Sequence, residues 1–139
     1  MSNHTVRDAM TPTPTTIEAG ATVVDAARLM ASTDVGSLPV VEGEELVGIV
    51  TDRDLVLHVL AKDVDPHKVS VSTICTQHPT VVEPTEALDV ALERMAREQV
   101  RRLPVVEDGR VVGILAQADV SRAAAPAATG RMVEEISER

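Results

Sequence analysis

The chain has 139 residues, a formal net charge of −9, 44% hydrophobic residues and no Phe, Trp or Tyr. This length and apolar content suit one ordinary core and exclude a disordered chain, which combines low hydrophobicity with high charge. An acidic chain without aromatic rings also lacks the basic and base-stacking surfaces with which proteins usually bind nucleic acid. We therefore expect no nucleic-acid partner.

Cysteine usage and hydropathy indicate the compartment. The single cysteine, Cys75, cannot form a disulfide within the chain, and we expect it to be a small buried apolar group rather than a reactive thiol. The N-terminal residues show no charged and then apolar signal pattern, and no apolar run approaches the ~20 residues of a membrane span. The sequence thus predicts a cytoplasmic protein with no membrane partner.

An internal repeat organises the chain. Residues 6–55 match residues 71–120 without a gap at a shift of 65 positions, which carries Pro39 onto Pro104. The same shift superposes LPVVE at 38–42 on 103–107 and VGI at 47–49 on 112–114. Two copies of one supersecondary unit are expected, with any binding site either paired or formed between the copies.

The predicted elements follow in the same order in both copies. A β-branched run after a proline, at residues 15–17 and 80–82, predicts a brief strand. Apolar residues spaced i, i+3, i+4, i+7 then predict one buried helix face, formed by Val23, Ala26, Ala27 and Met30 or by Leu88, Ala91, Leu92 and Met95. Thr22 and Thr85 are the candidate N-caps of these helices.

Two further apolar runs predict a hairpin, at residues 38–41 and 46–50 in the first copy, and Asp108-Gly109 is a strong turn signal in the second copy. A closing helix is predicted to begin near Thr51 or Ala116. In the first copy its expected buried stripe consists of Leu55, Val56, Val59 and Leu60. Each copy is therefore predicted to be a β-α-β-β-α unit.

The predicted boundaries divide the chain into four segments. They are a first repeat at residues 1–62 with its core at 6–62, a connector at 63–70, a second repeat at 71–122, and a linker and short tail at 123–139. Residues 131–139 fit a short amphipathic helix, although a frayed end is the favoured interpretation.

Two such units, each with LPVVE before a turn and VGI before a helix that opens with Asp, resemble a tandem cystathionine β-synthase (CBS) domain pair, also called a Bateman module. The resemblance covers roughly residues 6–121 and is to the short stand-alone bacterial type. It implies an α/β (α+β) fold in which the two CBS repeats pack pseudo-symmetrically as one CBS pair. It also implies two clefts between the repeats, which commonly bind adenosine derivatives such as AMP, ADP, ATP or S-adenosylmethionine.

The family's motif, Gly, two hydrophobic residues, Thr or Ser, two further residues and Asp, is intact as GIVTDRD at residues 48–54. A carboxylate at Asp54 suits the two ribose hydroxyls, while the Thr51 hydroxyl and free N–H groups of a helix N-terminus suit a phosphate. The same T-x-x-D pattern is also that of a capping box, so both interpretations stay open. One side chain can serve both, because a cap uses one carboxylate oxygen.

The second copy departs from the motif. GILAQAD at residues 113–119 retains Asp119 but has Ala116 where the first copy has a hydroxyl. Because Ala costs about 1 kcal/mol relative to Thr at an N-cap, the retained Asp119 favours a role separate from capping. The missing hydroxyl speaks against phosphate binding at this motif, and the two clefts are expected to differ.

A pair of arginines is the second difference between the copies. Arg101-Arg102 replaces Gly36-Ser37 of the first copy. By resemblance, basic residues at this place face phosphates, and a guanidinium suits phosphate; the alternative is a solvated pair bonded to Glu98 or Glu107. The resemblance assigns to one cleft Thr51, Asp54, Arg101, Arg102, Val82 and Pro104, and to the other Thr15, Ile17, Pro39 and Asp119.

The predicted function is regulatory. The module is expected to sense an adenine nucleotide or other adenosyl compound and to act through population shift on a dimer partner or an unknown protein target. The alternative is a structural or interaction dimer of the same fold with empty or degenerate clefts. A homodimer is expected because the helix faces through Val23/Met30 and Leu88/Met95 exceed what one small unit needs to cover.

Catalysis is not predicted. The four histidines have no metal-ligand spacing with one another or with Cys75, and the sequence contains no glycine-framed nucleophile motif and no phosphate loop. We therefore expect a protein that is not an enzyme, has no metal site and requires no cofactor.

Overall fold

The structure is a computed structural model that describes residues 4–124, with side-chain surroundings for residues 4–120. The chain forms two compact units. The first-repeat unit comprises residues 15–79, and the second-repeat unit comprises residues 80–124 together with residues 4–14. The tail predicted at residues 131–139 lies outside the described residues.

The elements follow one another in this chain order: α1 Val6–Ala9, β1 Thr11–Pro12, β2 Ile17–Glu18, α2 Val23–Thr33, β3 Ser37–Glu42, β4 Glu45–Thr51, α3 Asp52–Leu55 continued by a π-helical turn Val56–Leu60, 3₁₀ turns Pro66–Lys68 and Val71–Thr73, β5 Thr76–Gln77, α4 Leu88–Glu98, β6 Arg102–Glu107, β7 Arg110–Ala116 and α5 Gln117–Ala124. The predicted β-α-β-β-α order is confirmed in the first copy by β2 to α3. In the second copy the first strand is reduced to a bridge between Val82 and Val105. Because α5 extends to Ala124, the first two residues of the predicted linker are helical.

The first-repeat unit is a small sheet covered by α2. β2 runs parallel to β3, with Ile17 opposite Val40, while β3 and β4 form an antiparallel hairpin and β5 pairs with β4. A parallel pair needs a crossover, and α2 is that crossover. Its apolar face packs on the sheet to form a core that contains Ile17, Val23, Ala26, Met30, Leu38, Val40 and Val50.

The second-repeat unit has the same plan. β6 and β7 form a hairpin, and β1 pairs antiparallel with β7. The turn residues Asp108 and Gly109 have φ values of 54° and 82°, so the predicted two-residue hairpin turn is confirmed. The core of this unit contains Val6, Val82, Leu88, Ala91, Met95, Leu103, Val105, Leu115 and Val120.

Each unit is completed by a short segment from the start of the other sequence repeat. Residues 6–12 join the second-repeat unit, and residues 71–77 join the first-repeat unit. The close approach of these segments requires glycine in the adjacent strands. A Cβ atom at Gly48 would lie 2.7 Å from Cys75 Sγ, and one at Gly113 would lie 2.6 Å from Met10 Sδ.

Cys75 is half-buried against the first-repeat core, close to the predicted buried environment. Burial raises the pKa of its thiol above the ordinary value, which disfavours the nucleophilic thiolate. This direction agrees with an inert packing role.

One of the two predicted N-caps is confirmed and the other is wrong. Thr22 accepts a hydrogen bond from the Asp25 N–H at 3.2 Å, and the Asp25 carboxylate accepts one from the Thr22 N–H at 3.1 Å. Helix α4, by contrast, begins after Ala87, which has no capping side chain. Ala87 is the 65-residue equivalent of Thr22, so Thr85 lies two positions too early to cap the helix.

The helix faces from which we expected a dimer are buried within their own units. Val23, Met30, Leu88 and Met95 are 2%, 6%, 0% and 1% exposed. These faces form the two cores, so that argument for a homodimer is wrong.

Six large apolar side chains are exposed among the described residues, and four of them lie in the π-helical turn or within four residues after it. Val59 is buried, but Val56 and Leu60 are exposed, which corrects the predicted stripe. The Ala61 N–H donates to the Val56 carbonyl at 2.8 Å, and this i to i+5 bond widens the turn and rotates side chains away from 3.6-residue positions. The apolar patch therefore consists of Val56, Leu57, Leu60 and Val64.

Candidate functional site

The intact motif lies where strand β4 ends and helix α3 begins. Gly48 faces the segment that carries Cys75, so this glycine serves close packing within the first-repeat unit. Val50 is fully buried in the core. Thr51 and Asp54 are half-buried at the strand-to-helix junction, where their polar groups reach the surface of the unit.

Thr51 and Asp54 form the predicted capping box. The Asp54 N–H donates to Thr51 Oγ1 at 3.1 Å, and Asp54 Oδ2 accepts from the Thr51 N–H at 2.9 Å. The second oxygen, Oδ1, lies 3.9 Å from His58 Nε2, and the Asp54 side chain is 17% exposed. The cap thus uses one carboxylate oxygen, and the other lies beside an ionisable imidazole.

The N–H groups of the first helical turn are already engaged. The Asp52 N–H donates to the Gly36 carbonyl at 2.9 Å, and the Arg53 N–H donates to Asp52 Oδ1 at 2.8 Å. The N–H groups of Thr51 and Asp54 donate the two hydrogen bonds of the capping box. The expectation of free N–H groups for a phosphate is therefore wrong, because the Gly36 carbonyl and nearby side chains accept these hydrogen bonds. The Thr51 hydroxyl hydrogen remains available.

The two arginines lie on the second-repeat unit at the start of β6, and both are exposed. Their expected alternative partners bond elsewhere: Glu98 lies 3.6 Å from Arg97, and Glu107 lies 3.3 Å from Arg7. The Arg101 carbonyl accepts from the Gln117 N–H at 2.7 Å, which fixes the backbone at this point. The phosphate-facing role of the two guanidinium groups stays a prediction.

The apolar candidates belong first to the cores of their units. Val82 is fully buried, its N–H donates to the Pro104 carbonyl at 3.1 Å, and Pro104 is buried beside it. Ile17 is 7% exposed and Pro39 is buried on β3, whereas Thr15 is exposed. Their role as walls for a ligand stays a prediction.

Asp119 occupies the position in α5 that Asp54 has in α3. It lies half-buried in the first turn of that helix, after Ala116. The structure thus places Thr15, Ile17, Pro39, Thr51 and Asp54 in the first-repeat unit and Val82, Arg101, Arg102, Pro104 and Asp119 in the second-repeat unit. The assignment of these ten residues to two clefts stays a prediction.

Sequence reasoning missed an ion pair in the second-repeat unit. Arg94 donates to both Glu86 carboxylate oxygens, at 3.0 and 2.8 Å, and to the Val81 carbonyl at 2.8 Å. The Glu83 N–H donates to the same carboxylate at 2.9 Å. This network ties the loop that contains Val82 to helix α4. In the sequence, Glu86 lies in a loop eight positions before Arg94 in a helix. No sequence rule predicts an ion pair at this spacing.

The Arg94 network makes stability depend on pH. Hydrogen bonds from the Arg94 guanidinium hold the pKa of the Glu86 carboxyl below its ordinary value of 4.5. The pair's contribution is therefore complete above the unfolded-state pKa and is lost as pH falls through the lower folded-state value. We expect Arg94→Met to lower the free energy of unfolding by ~1 kcal/mol at neutral pH, and less at pH ~3.

Urea unfolding followed by circular dichroism at both pH values measures this difference. Arg97→Met is the matched control, because Arg97 meets Glu98 at an exposed contact of 3.6 Å. A pH-independent deficit in Arg94→Met would show that the ionic part of the network contributes nothing.

Metal ligands do not cluster in the described part of the chain. Within residues 4–124, no three His, Cys, Asp or Glu side chains lie together in a way that could hold a metal ion. Over the same residues, no helix is long and apolar enough to cross a membrane. The expected absence of a metal site stays a prediction for the whole chain.

The two units each consist of an antiparallel hairpin, one further strand pairing on it and a helix packed on the sheet, and together they define a tandem pair of CBS domains. The chain belongs to the CBS domain family, since the family model matches residues 6–61 and again residues 71–126. Among curated relatives, the CBS domain-containing protein YhcV of Bacillus subtilis is 37% identical over 84% of this chain and 82% of its own length. Hypoxic response protein 1 of Mycobacterium tuberculosis is 34% identical over 85% of this chain and 83% of its own length.

Solved structures agree with this membership. Hypoxic Response Protein I, solved with two coordinated zinc ions, matches with a TM-score of 0.81 and 33% identity over 88% of this chain and 100% of its own. CBSX2 in complex with AMP matches with a TM-score of 0.76 and 34% identity over 88% of this chain and 96% of its own. The CBS domain pair of MJ0100, in complex with 5′-methylthioadenosine and S-adenosyl-L-methionine, has a TM-score of 0.76 and 29% identity over 86% of this chain and 94% of its own. The predicted family and fold class are confirmed.

Proposed function

We propose that this chain is a regulatory module that binds an adenine nucleotide or another adenosyl compound, with Asp54 as the acceptor of the ribose hydroxyls. The observation that supports the proposal most directly is that the two oxygens of the Asp54 carboxylate have different surroundings. Oδ2 accepts a hydrogen bond from the Thr51 N–H at 2.9 Å, whereas Oδ1 accepts none from the described residues and lies 3.9 Å from His58 Nε2. The solved relatives that hold AMP or S-adenosylmethionine support this class of ligand.

The capping box also prepares Asp54 for binding. A carboxylate held by a backbone hydrogen bond loses little further rotamer freedom when a ligand arrives, and such preorganisation raises affinity. The Thr51 hydroxyl accepts from the Asp54 N–H at 3.1 Å, and its own hydrogen can be donated to a ligand oxygen. Ribose hydroxyls and a neighbouring acceptor oxygen match this pair of groups.

Binding would alter the population of conformations and so act on a second copy or another protein. The module is proposed to work in the cytoplasm and to perform no catalysis itself. Arg101 and Arg102 are proposed to meet the phosphates of a nucleotide. The second motif, which has Ala116 in place of the hydroxyl, is proposed to bind more weakly.

We expect AMP, ADP, ATP or S-adenosylmethionine to raise the melting temperature of the protein. A ligand that binds only the folded state stabilises it by RT ln(1 + [L]/Kd), about 2.7 kcal/mol at 100 times Kd. Thermal unfolding at millimolar ligand, followed by circular dichroism, measures the rise. The compound with the largest shift identifies the preferred ligand.

The double variant Arg101→Ala/Arg102→Ala separates the two ends of the ligand. Its melting-temperature rise should shrink for phosphate-bearing compounds and persist for S-adenosylmethionine, because only the former carry the anion that guanidinium groups bind. Arg28→Ala/Arg97→Ala is the control, with the same charge change on exposed residues of α2 and α4. An unchanged rise with AMP and ATP would remove the two arginines from the site.

A second candidate function is assembly, and the apolar patch of Val56, Leu57, Leu60 and Val64 favours it. Their exposed fractions are 50%, 42%, 68% and 41%. Four exposed apolar side chains within residues 56–64 are a local concentration of apolar surface, which is typical of an interaction surface. We propose that a second copy of this chain covers the patch in an isologous dimer.

Light scattering at tens of micromolar, ~10⁻⁵ M, should give the mass of a dimer. Leu57→Glu/Leu60→Glu should give a monomer, because the dimer would bury four carboxylates without partners. Val90→Glu, at a residue that is also 43% exposed, is the control and should stay dimeric. A wild-type monomer would contradict the dimer, and a dimeric double variant would place the interface elsewhere.

A further inference from the structure

The first-repeat unit carries a groove between β2 and α2 that is separate from the capped motif at Thr51 and Asp54. Its volume is about 570 Å³. Ala21 and Leu29 line it, and both are partly buried against the first-repeat core. Glu18, Asp25 and Arg28 are its charged lining residues, and all three are exposed.

The second-repeat unit shows what fills the same place in its own fold. The 65-residue shift carries Ala21 onto Glu86 and Leu29 onto Arg94. There the Arg94 guanidinium binds the Glu86 carboxylate at 2.8 and 3.0 Å and the Val81 carbonyl at 2.8 Å. In the first-repeat unit the apolar side chains of Ala21 and Leu29 stand at the positions of this ion pair, and both line the groove.

The groove has no equivalent of the Glu86 carboxylate, but the carboxylates of Glu18 and Asp25 line it instead. Thr16, the equivalent of Val81, is one of its lining residues. Two carboxylates and one guanidinium line it, which favours a cation. Glu18 Oε1 accepts from the Gly43 N–H at 3.3 Å, and Asp25 Oδ2 accepts from the Thr22 N–H at 3.1 Å. Each carboxylate therefore keeps a second oxygen for a donor, while Ala21 and Leu29 suit the methylene stem of an arginine.

We propose that this groove binds an arginine side chain presented by a basic segment of a partner protein, in the place that Arg94 occupies in the second-repeat unit. The net charge of −9 on this chain also attracts a basic partner. The groove shares Ile17 with one of the two predicted clefts, but it includes neither Thr51 nor Asp54, so this proposal and the proposed role of Asp54 can fail separately.

Two reciprocal variants test it. Ala21→Glu/Leu29→Arg transfers the ion pair into the first-repeat unit and should fill the groove. Glu86→Ala/Arg94→Leu removes the pair and should open the equivalent groove in the second-repeat unit. The probe is the tripeptide acetyl-Ala-Arg-Ala-amide, and its citrulline counterpart has a similar shape without the charge. Methyl NMR signals of Ile17 and Val82 report on the two places separately.

In the wild type, the arginine tripeptide should move the Ile17 methyl signals saturably at millimolar concentration, with an affinity about tenfold above that of the citrulline tripeptide. The filled variant should lose this response, and the opened variant should gain one at Val82. If the filled variant does not fold, the citrulline comparison and the opened variant still decide. Equal responses to both tripeptides, no saturation, or a larger response to inorganic phosphate through Arg28 would overturn the proposal.

Discussion

Replacing Asp54 by alanine should weaken binding of the preferred adenosyl compound by about 10- to 150-fold. Hydrogen bonds to a charged group contribute about 1.5–3 kcal/mol, which gives this range. Asp54 Oδ1 is the proposed acceptor of the ribose hydroxyls, while Oδ2 remains in the cap at 2.9 Å from the Thr51 nitrogen. Calorimetric titration measures the change. Asp119→Ala should have a smaller effect, because its motif has lost the hydroxyl.

Asp25→Ala is the matched control for this result. Asp25 closes a capping box of the same geometry on α2, with hydrogen bonds of 3.1 and 3.2 Å to Thr22. Its loss should cost a comparable amount of stability, about 1 kcal/mol, and leave the affinity unchanged. Equal affinities for wild type, Asp54→Ala and Asp25→Ala would remove Asp54 from the site.

Replacing Gly48 by alanine should destabilise the first-repeat unit strongly. The new Cβ would lie 2.7 Å from Cys75 Sγ and 2.7 Å from the Thr76 carbonyl oxygen. The backbone oxygen belongs to β5, so relief requires the Gly48 to Gln77 pairing to separate. Overpacking of this kind costs about 1–3 kcal/mol, and lost strand pairing adds to it.

Urea unfolding measures this loss. Gly113→Ala should also lower the free energy of unfolding, because its Cβ would lie 2.9 Å from the Thr11 carbonyl oxygen. Gly20→Ala is the control: no other atom lies within 4 Å of its added Cβ, so its stability should hold or rise slightly. Equal stability of Gly48→Ala and Gly20→Ala would show that residues 71–77 do not pack as described.

Much of each unit could be predicted from the sequence because its determinants are local and occur twice. The apolar positions of α2 and α4 follow a helical period, and Asp108-Gly109 specifies its own turn. Capping at Thr22 and Thr51 follows from a T-x-x-D spacing, which brings a carboxylate and an N–H together within one helical turn.

The grouping of short segments could not be predicted in this way. Residues 6–12 complete the second-repeat unit through β1, whose pairing partner Ile114 is about a hundred positions away in the chain. Two signals pointed to such contacts: Thr5-x-x-Asp8 has the spacing of a cap, and Gly48 and Gly113 interrupt apolar strands. A glycine inside a strand often marks a close backbone approach.

In the candidate site, too, local contacts could be predicted from the sequence and contacts between distant segments could not. The Thr51–Asp54 geometry was predictable because it joins residues only three positions apart. Engagement of the Asp52 N–H by Gly36 was not, since it joins the end of β4 to the loop before β3. The exposure of Val56 and Leu60 also escaped prediction, because a π-helical turn does not follow the 3.6-residue period on which the stripe was based.

Equilibrium dialysis against AMP, ADP, ATP or S-adenosylmethionine tests the central claim most directly. Because the chain has no Trp, Tyr or Phe, purine absorbance near ~260 nm is read without protein background beyond the peptide tail. At millimolar ligand, roughly the weakest affinity that is still specific, the account predicts excess absorbance on the protein side for at least one compound, reduced in Asp54→Ala. Equal absorbance on both sides for all four compounds would contradict it.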